Sequence, residues 1–560
     1  MLASMMHSPL RSLGRLAAAC ALLTWAAGCD RPGGCTGDYC GTLVFVAGGD
    51  PDILLPPVTE QTTARDIHDQ IFLKLADLRE TTNTAGDEGF EPQLAQRWEW
   101  EDSLTLVFHL DPRARWHDGP PVTAADVAFT FDAYTDAAVN SPARAALSQI
   151  RSVIARDSLT AVFRFRRRHP EMFYDATYHL RVLPAHLLHT VPRNRWITAP
   201  FGRHPVGDGP YRFVEWRAGE RIELAADSTF FLGRPRIPRL IWRVTADHQV
   251  AITQLLAGEA DAIEFLGPPD NVRRVEAAPH LRTYHYKGSS YSYLGFNLRA
   301  DGDSTRPHAL FGDRDFRRAL AMGTDRARLL QSVFGNLAKV PPGPIPQFWW
   351  LWDLDLGAVP YDSAGAAWLL RRHGWRDTDG DGIRERDGVR AAFHLLVPTS
   401  SMVRRQYARL LQEHYRTLGV EVQIDEVEPS VLDERARAGR FDAVLASWAT
   451  DPTPTSSIRQ TWTRAGFGAS NYGRYENPDV ESLLERAAAA RPAESRRLWQ
   501  NALRMLNADA PGIWLYAPDN VAAIHRRVAD VRIRPDAWWA LVRTWRIPSD
   551  QLIDRDRVER

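Results

Sequence analysis

Carboxylates alternate around two glycines in Asp377-Thr378-Asp379-Gly380-Asp381-Gly382-Ile383-Arg384-Glu385. That spacing lets a single loop wrap oxygen ligands around a hard cation such as Ca2+. Asp377, Asp379, Asp381 and Glu385 are the candidate ligands. A full calcium loop needs a bidentate glutamate at its twelfth position, where Gly388 stands, so a plain hairpin turn accounts for the same residues. Calcium is thus the one candidate ion, and no other cofactor is expected. Cysteine offers a second chemistry. Cys35 and Cys40 lie close together in a glycine-rich stretch, with no further Cys or His near enough to complete a metal site, so outside the cytoplasm a disulfide is expected. Catalysis has little to stand on. There is no G-x-S-x-G elbow, H-E-x-x-H pair, P-loop or dinucleotide fingerprint, and histidines such as His186 and His189 are scattered.

The elements around these residues begin with an export segment. Arg11 and Arg15 precede an apolar run from Leu16 to Ala27, too short to span a bilayer. Ala26-Ala27-Gly28-Cys29 then looks like a lipobox, which would make Cys29 a lipidated first residue of the mature chain and leave Cys20 in the removed segment. No other uninterrupted apolar run approaches bilayer length. The 560 residues, 44% of them hydrophobic, suffice for several packed cores. A formal net charge of +0 leaves no electrostatic footprint for nucleic acid, and the basic run Arg164 to Arg168 reads as a solvated strand end.

The body of the chain alternates strands with helices. Thr42 to Ala47 is a first strand; Ile241–Val244, Asp247–Ala257 and Ala260–Phe265 read as a strand–helix–strand unit. Strands at Phe393–Val397, Val420–Val427 and Phe441–Ser447 are separated by helices at Val403–Leu418 and Val431–Ala438, each followed by a glycine. The pattern predicts two α/β lobes with mostly parallel sheets. In such sheets ligands bind beyond the carboxyl ends of strands. Trp448, Thr450 and Asp451 occupy that place in the second lobe, and Gly49 and Asp50 in the first. Phe348, Trp349, Trp350 and Trp352 are dense enough either to wall a pocket, with Trp349 the candidate, or to pack a core.

A longer string connects these pieces. Leu94 to Tyr134 reads as a strand (Thr105–Leu110), a Trp116-His117-Asp118-Gly119 turn, and a helix opened by Thr123 with Asp126 as a capping box. This order resembles the family 5 extracellular solute-binding proteins, the peptide receptors of ABC importers. The resemblance continues through Pro205–Tyr211 (PVGDGPY, with Asp208 where threonine is usual), Leu255–Asp261 (LLAGEAD), Tyr293–Asn297, Phe311–Asp325, Asp362–Trp375, and a run containing Phe441-Asp442, Trp448, Asp451-Pro452 and Asn471. It implies a two-lobe periplasmic-binding-protein fold of the large, peptide-binding type, with an additional subdomain in the first lobe. The corresponding division is 1–28 signal peptide, 29–55 tether and first strand, 56–200 subdomain, 201–296 first lobe, 297–515 second lobe and 516–560 return to the first. It further implies that Asp451 pairs with a ligand α-ammonium, that Tyr516 and Asn471 belong to the cleft, and that the lobes close about crossings near Asn297 and Leu515-Tyr516. The expected protein is a monomeric, lipid-anchored receptor on the extracytoplasmic or periplasmic side, delivering peptides to permease subunits. Family members for nickel chelates, haem, sugars or opines, and a non-transporting sensor or chaperone, are the alternatives. Thr453 and Pro454 compress the loop after Asp451, which alters the space left for a ligand.

Overall fold

A run of buried apolar residues makes Thr42–Ala47 (β1) a central strand, since both of its faces must be covered. In the computed structural model, which describes residues 35, 39–59, 61–301, 303–352 and 355–556, β1 lies in a mixed sheet of twelve strands. The helix Thr62–Ile71 (α1) follows, then Arg239–Val244 (β2) and Ala262–Ile263 (β3), which flank β1 in parallel, with Phe45 opposite both Trp242 and Ala262. Leu281–Lys287 (β4) and Ser290–Phe296 (β5) come next in the chain. The second half contributes Ala392–Pro398 (β6), Glu421–Val427 (β7), Ala443–Ala449 (β8) and the fourteen-residue Gly512–His525 (β9).

Strands β7, β6 and β8 are parallel, as their intervening helices require. The sheet as a whole is not mostly parallel. Strand β5 runs antiparallel to both β8 and the first half of β9, while the second half of β9 is antiparallel to β3 and β4. The return crossing lies in the expected strand, whereas the first crossing lies ahead of the expected one. Because β5 completes the second-lobe sheet, the chain crosses at Gly288-Ser289, ahead of Asn297. It returns within β9 beyond Tyr516, between the pairings Ser292–Tyr516 and Lys287–Asp519. Asn297 is instead a buried clamp, its Nδ2 donating to the carbonyls of Gly439 and Phe441.

Period-two alternation explains the two cores of the second lobe. Leu395, Val397, Leu445 and Ile513 face the helix Met402–Thr417, whereas Leu396, Val444, Ala446 and Trp514 face the helix Pro492–Asp509. Fully burying each such large side chain contributes roughly 1.5–3 kcal/mol. In the first half, a separate antiparallel sheet has the order Ala95–Asp102, Thr105–Leu110, Thr160–Phe165, Ile150–Ala155. The helix Ala124–Thr135 (α2) packs on it, and the Thr123 N–H donates to Asp126 Oδ2 at 2.8 Å in a capping box. Its core is continuous with that of the first lobe, since Phe108 and Phe163 belong to one cluster with Leu43, Phe45 and Trp242.

Cys35 and Cys40 are joined by a disulfide, with Cα atoms 4.6 Å apart. Cys29 lies outside the described residues, among which no helix is long and apolar enough to cross a membrane. Asp261, the last residue of LLAGEAD, is fully buried; it accepts from the Val44 N–H at 2.9 Å and from Arg527 Nε at 2.7 Å, tying the C-terminal segment to β1.

Asp208 is buried with one oxygen accepting from the Leu73 N–H and the other without a partner, so burial pushes its carboxyl well above the usual range. A raised folded pKa costs stability as pH climbs above the unfolded value of about 4. Asp208→Thr is therefore expected to stabilise the protein at pH 7–8 by about 1–3 kcal/mol, the cost of an unsatisfied buried group. In urea titrations the gain should vanish near pH 4; a gain constant with pH would refute the assignment.

Candidate functional site

Where the lobes face each other they border an open cleft with a cavity of about 980 Å3, within reach of the largest small-molecule sites. One side comes from the first half of the chain: Thr62 and Arg65 of α1, Tyr174 from the helix Met172–Thr177, Tyr178 beyond it, and Glu264 after β3. The C-terminal segment adds Trp538 and Trp539. The second lobe supplies Phe348, Thr450, Asp451 and Thr453 from the loop after β8 and its neighbours. Tyr174 and Tyr178 stack with centroids 4.6 Å apart, forming an aromatic shelf, and the Tyr174 hydroxyl has no hydrogen-bond partner.

Asp451 is held by its backbone rather than its side chain. Trp349 Nε1 donates to the Asp451 carbonyl at 2.7 Å, and the Thr450 N–H donates to Ser289 O at 3.0 Å. The carboxylate remains open to cavity water while protein surrounds it. Burial raises its pKa, and Arg65 across the cavity partly opposes the rise. Such a group gains from a cationic partner.

The lobes also touch directly. Thr453 Oγ1 donates to Glu171 Oε1, which also accepts from Thr84 Oγ1 at 3.2 Å; Thr82 Oγ1 donates to Phe348 O at 2.6 Å. These bonds join the two sides of the cleft. Thr453→Val, which keeps the shape and removes the hydroxyl, should weaken binding of any ligand that requires closure by about two- to tenfold. Small-angle scattering of the liganded variant should show a larger radius of gyration than wild type, and identical radii would count against a closing role.

Several residues singled out in the sequence lie elsewhere. Trp448 does not line the cavity: alternation along β8 turns it to the other face, where its Nε1 donates to Tyr293 Oη at 3.0 Å and its ring meets Tyr472. Asn471 is buried, donating to Thr463 O and Tyr475 O, and is structural. Tyr516 packs between Phe334 and Tyr407 in the second-lobe core, because β9 is still part of that lobe there. Trp349 is buried and positions Asp451 without facing the cavity, whereas its neighbour Phe348 does face it. Asp50 binds Trp216 Nε1 and the Gly219 N–H, while Gly49 lines a smaller side cavity. Sequence reasoning missed the Tyr174–Tyr178 shelf, which carries no motif. Glu264 had a signal, since it ends a recognised strand.

In the acidic loop, carboxylate oxygens of Asp377, Asp379 and Glu385 lie within 4.8 Å of one another. Asp381 leaves the expected set to pair with Arg390 at 2.5 Å. The others already accept local donors: Asp377 from the Gly380 and Gly382 N–H groups, Asp379 from the Asp381 N–H, and Glu385 from Thr378. These bonds are those of a turn that closes on itself.

The site is thus an interlobe cavity, bordered by two chain crossings, with a backbone-pinned carboxylate in its wall. Known proteins agree. The chain is similar to the oligopeptide-binding protein AppA of Bacillus subtilis (26% identical over 518 residues, 89% of this chain and 91% of that protein). It is also similar to protein XP55 of Streptomyces lividans (30% identical over 487 residues, 85% and 83%). Among solved structures, AppA in complex with a nonapeptide superposes with TM-score 0.70 (24% identity, 91% and 99% covered), and NikZ of Campylobacter jejuni in complex with Ni(L-His) with TM-score 0.71 (22%, 90% and 99%). The model of the family 5 bacterial extracellular solute-binding proteins matches residues 89–469, and this chain belongs to that family.

Proposed function

We propose that the protein captures a peptide by its free amino terminus at Asp451 and presents it to the permease of an ABC importer, without chemistry on the ligand. One observation carries this reading. Asp451 is a cavity-lining carboxylate, open to solvent, on a fixed backbone, opposite an aromatic shelf that can stack on a peptide chain. Its need for a cation fits an α-ammonium. A metal chelate, as NikZ holds, is the rival, together with haem, sugar or opine ligands and a sensor or chaperone role. Calorimetry with free and N-acetylated forms of one peptide series separates these readings: binding should be lost or sharply weakened on acetylation. Equal affinities would point to a non-peptide solute.

The receptor works as a monomer at the outer face of the cell membrane, anchored through Cys29. Two or more acyl chains anchor stably where one does not. Cys29→Ala should move the protein to the soluble fraction, and soluble wild type cleaved away from Cys29 would refute the anchor. No resident cofactor is invoked, and the Asp377–Glu385 loop serves as a turn; excess EGTA should leave the unfolding midpoint where it is.

A further inference from the structure

Beside the main cavity, and sharing Thr62, Glu264 and Trp538 with it, lies a side cavity of about 330 Å3. Its walls include Trp242, Trp538 and the backbone of Gly48 and Gly49, where a Cβ would meet nothing within 4 Å. Asp66 of α1 and Glu264 both line it. Asp66 is only 7% exposed, and its Oδ1 has no hydrogen-bond partner. An acceptor left bare at the wall of an empty space costs stability unless something fills that space. Glu264 also acts on Asp66. Burial and then the Glu264 charge raise Asp66 well above the usual range, and burial raises Glu264 to about 7, with Arg65 opposing in both cases. Asp69, the next acid on α1, is engaged by Arg181 at 2.7 Å, and Tyr286 of β4 is itself raised by burial and by Glu264.

We propose that this side cavity is a subsite for a cationic side chain of the bound ligand, a lysine or arginine whose head pairs with Asp66 and Glu264 between the Trp242 and Trp538 rings. A single cation would meet both carboxylates and the orphaned oxygen, and aromatic walls favour a cation over a neutral polar group. The position fits a side chain of a ligand already held in the main cavity, because Glu264 and Trp538 belong to both spaces. The inference rests on the peptide reading above and adds to it a preference for basic residues at one ligand position.

The test uses the full chain and calorimetry with peptides identical except at one position, which carries Lys, Arg, Gln, norleucine or Glu and is moved along the peptide. At one position Lys and Arg should bind roughly ten- to a hundredfold more tightly than Gln, with Glu weakest. Asp66→Asn, at a residue that lines the side cavity and not the main one, should erase most of that preference while changing the affinity for the Gln peptide by less than about threefold, within the worth of a neutral hydrogen bond. Equal affinities for Lys, Gln and Glu at every position of a binding peptide overturn the subsite and leave the peptide reading intact, with no variant needed. Retention of the full preference in Asp66→Asn overturns it as well. If no peptide of any composition binds, the peptide reading falls and takes the subsite with it.

Discussion

Arg534→Leu is expected to lower the unfolding free energy by about 3–5 kcal/mol, the typical cost of stranding buried charges. Arg534 is 1% exposed and bridges two carboxylates, with Nη1 2.7 Å from Asp77 Oδ2 and Nε 2.7 Å from Asp536 Oδ1; it also donates to the Leu78 carbonyl. Burial disfavours its charge, yet Asp536 and Asp77 together hold its pKa above the usual range. Burial likewise works against ionised Asp77, and Arg534 and Lys74 outweigh it, lowering that carboxyl to about 2. Without the guanidinium, Asp77 keeps Lys74 at 3.4 Å as its cation and the Leu78 N–H at 3.0 Å, and Asp536 loses both of its contacts to Arg534. A depressed folded pKa gives stability that is present above the unfolded value of about 4 and lost as pH falls toward the folded one. The gap between wild type and variant should therefore narrow between about pH 4 and 2. Urea melts across that range check both the size and the slope, and a loss below about 1 kcal/mol at neutral pH, the worth of an exposed pair, would mean that the bridge is dispensable.

Asp451→Asn is expected to weaken peptide binding roughly ten- to a hundredfold, the loss of a charge-assisted hydrogen bond to an ammonium. The fold should survive, because Trp349 and Ser289 fix the loop through backbone atoms that asparagine retains. Since burial raises the carboxyl pKa, wild-type affinity should begin to fall, as pH is lowered, at a higher pH than an ordinary aspartate would give. The variant should lack that limb. An unchanged affinity for a free-amino peptide would place the anchor elsewhere.

Elements with strong periodicity were legible. Strands β6, β7 and β8, with their helices and terminal glycines, lie where the alternation and caps put them. The position of Asp451 beyond β8 also followed from the sequence, because a strand end is a one-dimensional property. The faces were harder. Trp448 and Asp451 are near neighbours in sequence, yet pleating sends the indole to Tyr293 and leaves the carboxylate in the cavity. Tyr516 was misplaced for a related reason: a strand shared by two lobes has no sequence mark at the point where its partners change. Arg65, Tyr174 and Tyr178 were invisible because they meet Asp451 only through tertiary packing of segments hundreds of residues away.

Strand β9 carries a consequence for the order of events in synthesis. Its first half is the neighbour of β5 and its second half the neighbour of β3 and β4, so the second-lobe part of the sheet is incomplete before residue 516 has been made and the first-lobe part before residue 525. Arg527 then closes on Asp261, 266 residues upstream. Such late, distant pairings make folding slow. Both lobes thus wait on one late strand, which links their folding as well as their backbones.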